Sequence, residues 1–287
     1  MRKTERIIRA GLCVSILVML LLCVTGCKKE TYDFPEDLAA QLPETTIYNI
    51  HKFVLDERLG YNSPFVRWRL NGQDLFMMVD SGCYDNYLLW NGINKAFPKF
   101  VINETFEKAE SEFSVQMEKN KYVLDPYGIM TAGFIPDFFD GFLGLTWMKQ
   151  YNNIVIDYVN NRIDYNQPPI TDYDIPMNWN DIFGYKYAIP FTFNGKEMYG
   201  MLDTGCYCTM VNLGIIGEEK NENGLYIVHD FSIGNVKYES MEIKCIDEVL
   251  SNESMMIAFA KQNTLGYPCF KDHVIQLDFK NNVFRIK

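Results

Sequence analysis

The sequence predicts an all-β protein built from two pseudo-symmetric lobes with a cleft between them. One short run of residues occurs once in each half of the chain. Apolar, strand-like segments flanking Asn-Gly and Asn-Asn turns dominate both halves, whereas helical periodicity is short and rare. Two copies are too few for a solenoid, so two related lobes are expected.

The repeated run places an aspartate at the end of an apolar strand. Its two copies read Asp80-Ser81-Gly82-Cys83-Tyr84 and Asp203-Thr204-Gly205-Cys206-Tyr207. The offset between them is 203 − 80 = 123 residues. Because Asp, Ser and Gly are common turn formers, a single copy would predict only a turn at a strand end. Two copies in matching positions predict that two carboxylates meet near a pseudo-two-fold axis.

The repeat continues downstream of each aspartate with a Leu-Gly pair. The pairs are Leu143-Gly144 and Leu265-Gly266, whose glycines follow the aspartates by 144 − 80 = 64 and 266 − 203 = 63 residues. Each pair precedes a short helix-like segment, a strand that ends in aspartate, and an Asn-Asn turn. The strand-ending residues, Asp157 and Asp278, are interpreted as structural turn residues.

Composition divides the chain into five segments. Residues 1–26 join a basic start to an uncharged stretch, which is typical of a signal peptide, and the small residues before Cys27 resemble the lipobox of bacterial lipoproteins. The alternatives are an uncleaved anchor or an ordinary signal peptide. Residues 27–46 are polar and acidic, which predicts a tether. Lobes are expected over 47–165 and 186–287, joined by the proline-containing linker 166–185.

The lipoprotein resemblance implies that Cys27 carries lipid and holds the protein at the cell envelope, on either face of the outer membrane. The net charge of the whole chain is −10. Residues 1–26 contribute +3, so the remainder carries −10 − 3 = −13. A chain this acidic has no means of neutralising phosphates, which excludes nucleic acid as a partner.

Five cysteines remain beyond Cys27, and their number is odd. Outside the cytoplasm an odd number implies a free thiol or an intermolecular bond. Cys206 and Cys208 are two apart on an extended segment, so their side chains should point the same way. No metal site is expected, because none of the three histidines lies at ligand spacing from these cysteines.

These motifs together resemble those of the pepsin/retropepsin-like aspartic peptidases. The matching features are apolar-apolar-Asp-Ser/Thr-Gly, the later Leu-Gly pair, and the strand and hairpin that follow it, each present once per half. The resemblance covers nearly all of the chain after residue 46. It implies a bilobal fold and a monomer in which one chain supplies both aspartates about an internal two-fold.

The resemblance further implies an aspartic endopeptidase that acts on peptides or proteins without a metal or other cofactor. Asp80 and Asp203 would share one proton. The ionised carboxylate would activate a water molecule, and the protonated one would stabilise the oxyanion. A flap over the cleft is expected within residues 107–123.

The remaining motif residues have supporting roles in such a site. Ser81 and Thr204 would hydrogen-bond across the two-fold. Gly82 and Gly205 would allow the tight backbone of the two catalytic loops. The Leu-Gly pairs, Leu143-Gly144 and Leu265-Gly266, would let the chain pass close behind those loops.

The sequence departs from the family after each motif, where Cys-Tyr stands in place of small and polar residues. Cysteine is small enough to fit, whereas Tyr84 and Tyr207 would either narrow the cleft or turn outward. The alternative function is therefore a catalytically inert pepsin-like scaffold that binds peptides or a protein partner. The predicted anchor alone would also fit a glycan-handling surface protein.

Overall fold

The computed structural model describes residues 34–42, 50–56, 61–70, 72–89, 92, 95–96, 139–180, 186–211, 220–245 and 262–287. The predicted signal peptide, Cys27 and the predicted flap lie outside these ranges. The described residues are mainly β, arranged in two sheets with short helices, which confirms the all-β prediction. Within them, no helix is long and apolar enough to cross a membrane.

The first part of the chain forms short helices and the strands of an antiparallel-rich sheet. Its elements are α1 (Glu36–Ala39), β1 (Ile50–Asp56), β2 (Tyr61–Leu70), β3 (Gln73–Val79), β4 (Tyr87–Leu88), β5 (Gly141–Leu143), α2 (Leu145–Met148), β6 (Asn153–Asp157) and β7 (Arg162–Tyr165). The connecting segment adds two more, β8 (Ile175–Pro176) and β9 (Asn178–Asn180).

The second part also ends in a hairpin, and that hairpin is preceded by a 3-10 helix at Tyr267–Cys269 where the first part has α2. Its strands are β10 (Lys186–Phe193), β11 (Lys196–Leu202), β12 (Thr209–Val211), β13 (Tyr226–Val228), β14 (Phe231–Ile233), β15 (Val236–Tyr238), β16 (Met241–Cys245), β17 (Asn263–Leu265), β18 (Val274–Asp278) and β19 (Val283–Ile286).

Both halves contain a hairpin whose second strand also pairs in parallel with the strand that carries the Leu-Gly pair. β3 pairs with β2 and β5, which places Val79 opposite Leu143. β11 pairs with β10 and β17, which places Leu202 opposite Leu265. The same pairings therefore deliver each Asp-Ser/Thr-Gly segment at the end of a strand held on both sides.

The larger sheet contains strands from both halves. Its ten strands run β4-β5-β3-β2-β1-β7-β6-β18-β19-β8, and the two halves join where β6 pairs antiparallel with β18. Val155 lies opposite Gln276 at the centre of this pairing. The nine-stranded sheet runs β13-β16-β12-β17-β11-β10-β14-β15, with β9 also paired to β10. The main hydrophobic core draws residues from both halves, such as Leu75, Ile156 and Phe191.

The two strand-ending aspartates hold matching turns, as the sequence predicts. Asp157 accepts hydrogen bonds from the backbone N–H (2.9 Å) and side-chain amide (2.7 Å) of Asn160. Asp278 accepts the same pair from Asn281, at 3.0 and 2.8 Å. Both carboxylates are therefore structural, because they fix the hairpins that follow β6 and β18.

The prediction of a tether over residues 27–46 is wrong for residues 34–42. Phe34, Leu38 and Leu42 are buried in a second hydrophobic cluster of the first half. Leu38 lies in α1, and Phe34 and Leu42 flank the helix at a spacing of four residues, a pattern that the polar composition and the prolines of the segment conceal. The Phe34 ring stacks on Phe76 with ring centroids 4.2 Å apart. This segment is therefore part of the folded protein.

The predicted linker is an ordered part of both sheets over its described residues, 166–180. β8 pairs with β19, and β9 pairs with β10. The buried Gln276 side chain accepts a hydrogen bond from the Ile170 N–H (3.2 Å) and donates to the Pro168 carbonyl (3.2 Å). Arg285 forms ion pairs with Asp174 (2.5 Å) and Asp278 (3.1 Å). Buried polar contacts thus fix the path of the chain between the two halves.

Candidate functional site

The two predicted aspartates come together in the interior of the protein. Asp80 follows β3, Asp203 follows β11, and each is 5% exposed. A Cβ added at Gly82 would overlap the Asp203 carboxylate, and one added at Gly205 would overlap the Asp80 carboxylate. Each carboxylate therefore lies against the glycine of the opposite loop, a position where no other residue type fits.

Four reciprocal hydrogen bonds lock together the two loops that carry Asp80 and Asp203. The Ser81 hydroxyl donates to the Leu202 carbonyl (3.0 Å) and accepts from the Thr204 N–H (3.0 Å). The Thr204 hydroxyl donates to the Val79 carbonyl (2.8 Å) and accepts from the Ser81 N–H (3.0 Å). All of these groups are buried, so the arrangement satisfies polar atoms that water cannot reach.

The Leu-Gly pairs support the loops from behind, as the resemblance implies. The Asp80 N–H donates to the Leu143 carbonyl at 3.0 Å, and the Asp203 N–H donates to the Leu265 carbonyl at 3.1 Å. A Cβ added at Gly144 would overlap a backbone carbonyl of the first loop. The same holds for Gly266 and the second loop. Glycine is thus required where the chain passes behind each of these two loops.

The hydrogen bonds to the two carboxylates are unequal. Asp80 Oδ1 accepts from the N–H groups of Gly82 (2.7 Å) and Cys83 (3.2 Å), and its Oδ2 accepts from the Cys83 thiol (3.0 Å). Asp203 Oδ1 accepts from the Gly205 N–H at 3.1 Å. Because hydrogen bonds to a carboxylate favour its ionised form, this difference favours the negative charge on Asp80.

The electrostatics place the proton on the other member. Burial and the neighbouring Asp80 charge raise the pKa of Asp203 well above its usual range, although Lys186 acts in the opposite direction. Two adjacent buried carboxylates cannot both ionise readily, so the pair retains one proton between them. The site can therefore offer an ionised base and a protonated acid at the same time.

The two cysteines of the loops are packed thiols. Burial, followed by the Asp80 charge, raises the pKa of the Cys83 thiol, and the hydrogen bond with Cys208, followed by burial, raises that of Cys206. Since a thiolate is the reactive species, neither cysteine is activated as a nucleophile.

The Cys206 and Cys208 sulfurs are 3.9 Å apart, on one side of the chain as predicted. The five described cysteines form no disulfides. In the described ranges, no group of three or more His, Cys, Asp or Glu side chains is arranged to hold a metal ion.

The tyrosines that follow the cysteines each contact a lysine. The Lys149 ammonium lies 5.6 Å from the centre of the Tyr84 ring, and 3.6 and 4.9 Å from the rings of Trp179 and Tyr187. The Lys244 ammonium lies 4.6 Å from the centre of the Tyr207 ring and hydrogen-bonds its hydroxyl. Both tyrosines thus make cation–π contacts beside the loops.

Sequence reasoning missed two further pairs of residues that carry the 123-residue offset. The Ser63 hydroxyl donates to the Gly205 carbonyl at 2.8 Å, and its counterpart at 63 + 123 = 186 is a buried lysine. Asn86 accepts from the Gly144 N–H at 2.9 Å, and its counterpart at 86 + 123 = 209, Thr209, accepts from the Gly266 N–H at 3.3 Å. Extending the offset downstream of the motif would have paired Asn86 with Thr209, whereas Ser63 and Lys186 are unlike residues that the offset does not single out.

A scan against protein-family models found no match, and a comparison with curated proteins found no relative. The chemistry of the site therefore rests on its own geometry: two buried carboxylates and a symmetric frame of hydrogen bonds between the loops that carry them.

Proposed function

We propose that the chain is an aspartic endopeptidase whose two halves are the lobes of a pepsin/retropepsin-like fold. The observation that carries the proposal is the buried Asp80–Asp203 pair held by the reciprocal Ser81–Thr204 hydrogen bonds. The repeated strand pairings around each aspartate support the bilobal fold. The substrate is a peptide segment bound in an extended conformation between the lobes, and one chain supplies the whole site.

The proposed reaction uses the unequal environments of the two carboxylates. Asp80 accepts a proton from a water molecule as its oxygen attacks the scissile carbonyl carbon. Asp203 gives its proton to the carbonyl oxygen, which becomes a hydroxyl of the tetrahedral intermediate. As the C–N bond breaks, Asp80 passes its proton to the leaving nitrogen and the hydroxyl proton returns to Asp203. The pair then again holds one proton.

Cleavage of a mixed peptide library, from acid to neutral pH, tests this proposal. The soluble protein should retain residues from Phe34 onward, because α1 packs into the fold. Asp80→Asn and Asp203→Asn should each lower the cleavage rate by about 10³-fold, since each removes one member of the proton-sharing pair. Asp157→Asn is the matched control, because it makes the same change at a buried, strand-ending aspartate outside the pair.

Two outcomes would contradict the proposal. Cleavage that survives in both Asn variants would assign it to a contaminating peptidase or another site. A folded wild type that retains peptides but cleaves none at any pH would favour the alternative function, an inert scaffold that binds peptides.

We also propose that Cys27 carries the lipid that anchors the protein to the envelope. The support is the run of small residues before Cys27 after a basic start and an uncharged stretch. Metabolic labelling with a radioactive fatty acid should label the wild type and leave Cys27→Ser unlabelled. Labelling of both proteins, or of neither, would contradict the anchor.

A further inference from the structure

Lys186 is a buried lysine at the start of β10, the hairpin partner of the strand β11 that leads into the second catalytic loop. It is 6% exposed. Alternate residues of β10, such as Tyr187 and Ile189, belong to the main hydrophobic core, so Lys186 points to the opposite face of the strand. Lysine is almost never fully buried without a charged partner, because removing its ammonium from water is costly. Its position therefore calls for a negative partner.

The internal symmetry indicates where that partner lies. Ser63, the counterpart of Lys186, reaches across to the Gly205 carbonyl of the opposite catalytic loop. By the same relation, we expect Lys186 to face the first loop at Gly82, where an added Cβ would overlap the Asp203 carboxylate. Consistent with this placement, the Lys186 charge lowers the pKa of both Asp203 and the Cys83 thiol, against the larger effect of burial.

The interaction between Lys186 and the two carboxylates is electrostatic and acts at a distance longer than an ion pair. Among the described residues, no carboxylate lies within ion-pair distance of the Lys186 ammonium. Lys186 therefore acts on the pair through its electric field, which is strong in a buried site.

We propose that Lys186 is a positioning residue of the catalytic pair, whose ammonium balances the single negative charge that the two carboxylates retain. The role of Lys186 in catalysis rests on the proposed peptidase function, whereas its effect on the charge of the two carboxylates can be tested without any activity. Two carboxylates with one proton carry −1, and the ammonium brings the buried site to neutrality. Ser63 supplies no charge, so the second half alone provides this balance.

The balance has a defined consequence for protonation. A nearby positive charge disfavours uptake of a second proton, which would leave the site without a base. It also favours loss of the last proton, which would leave the site without an acid. Lys186 therefore shifts both ionisation steps of the pair to lower pH and keeps the one-proton state available in more acidic solution.

The other titratable groups around the pair do not supply this charge. Burial raises the pKa of Tyr158, which follows β6 and feels the Asp203 charge, and it contributes to raising the pKa of both loop thiols. These groups are neutral from acid to neutral pH. Among the described residues, the titratable groups that interact with the charge of the pair are Cys83, Cys206, Tyr158 and Lys186.

A carboxyl ¹³C NMR titration of the protein tests the proposal, with the Asp80 and Asp203 signals assigned from their Asn variants. In Lys186→Met, both titration midpoints should move to higher pH by about one unit. Lys186→Arg, which keeps the charge, should retain midpoints close to those of the wild type. Lys244→Met is the matched control, because it removes a lysine ammonium of the same half that contacts Tyr207.

Unchanged midpoints in Lys186→Met would overturn the proposal. So would an equal shift in Lys186→Arg, because the effect would then follow the shape of the side chain and not its charge. If the methionine variant does not fold, Lys186→Gln repeats the test with a smaller neutral side chain. The titration needs no substrate, so a protein that proves inactive against peptides would still answer it. In an active protein, both limbs of the kcat/KM profile should move with the midpoints.

Discussion

The loops that carry Asp80 and Asp203 have nearly the same sequence and make matching hydrogen bonds with each other's backbone, yet their thiols hydrogen-bond to different partners. The Cys83 thiol donates to the Asp80 carboxylate, whereas the Cys206 thiol donates to the Cys208 carbonyl, both at 3.0 Å. The symmetric motif therefore brings two aspartates together without making them chemically equal. The different thiol orientation contributes to the inequality that favours the negative charge on Asp80 and the proton on Asp203.

The hydrogen bonds that the loops share should show the largest effects. Ser81→Ala leaves the Leu202 carbonyl and the Thr204 N–H buried without their hydrogen-bond partner. Thr204→Val likewise leaves the Val79 carbonyl and the Ser81 N–H without theirs. Each change should lower the free energy of unfolding by about 3 kcal/mol, measured by urea denaturation. Because both residues belong to one network, the double variant should lose less than the sum. Losses that simply add would show that the loops are held independently.

The pH dependence of stability should distinguish the two aspartates next. The pKa of Asp203 in the folded state is raised above its unfolded value of 3.8. The folded state therefore binds more protons than the unfolded state as the pH rises past that value, and stability falls until the folded group also ionises. Asp203→Asn should remove this loss of stability, so its Tm at neutral pH should exceed that of the wild type. The difference in Tm between the two proteins should vanish below the unfolded pKa. A wild type and variant that differ equally at all pH values would contradict it.

Removing each thiol should sharpen the comparison between the loops. Cys83→Ala deletes a hydrogen bond to the ionised Asp80, so activity on the acidic side of the pH profile should fall by up to about tenfold. Cys206→Ala deletes no bond to a carboxylate and should leave the profile in place. Equal profiles for the two variants, measured as kcat/KM against pH, would show that the thiols do not distinguish the aspartates.

The smallest effect is expected at the lysines that contact the two tyrosines. The Lys149 ammonium lies near three aromatic rings and that of Lys244 near one. Lys149→Met should therefore lower the free energy of unfolding by about 1 kcal/mol, and Lys244→Met by about half as much. Burial lowers the pKa of Lys149 to about 8. The cost of Lys149→Met should therefore shrink above that pH, where the wild-type lysine is also uncharged. Thermal unfolding at two pH values measures both effects.

The sequence was sufficient to predict those parts of the site that repeat at a fixed offset. Asp80, Asp203 and the Ser/Thr-Gly and Leu-Gly residues around them were found because the two copies confirm one another. Lys186 was missed because its counterpart is a serine, so the offset links two unlike residues. The partners of Cys83 and Cys206 were not predictable either, because rotamer choice depends on neighbours brought together by the fold.

Two features of the fold escaped prediction for a different reason. The segment at 34–42 has only three buried apolar side chains along a polar run, too weak a pattern to outweigh its composition. The pairing of β6 with β18 joins hairpins that the linear order assigns to separate lobes. Such long-range pairing follows from the complementary edges of two strands, which a one-dimensional pattern does not encode.

The joint between β6 and β18 also constrains how the protein can be made. Asn153 and Gln276, hydrogen-bonded across it, are 123 residues apart in the chain. While the ribosome is still producing the second half, β6 offers an open strand edge to any other chain nearby. Two nascent chains halted at that stage would find matching edges in each other. Late pairing of this kind makes folding slow and gives chaperones a defined window in which to act.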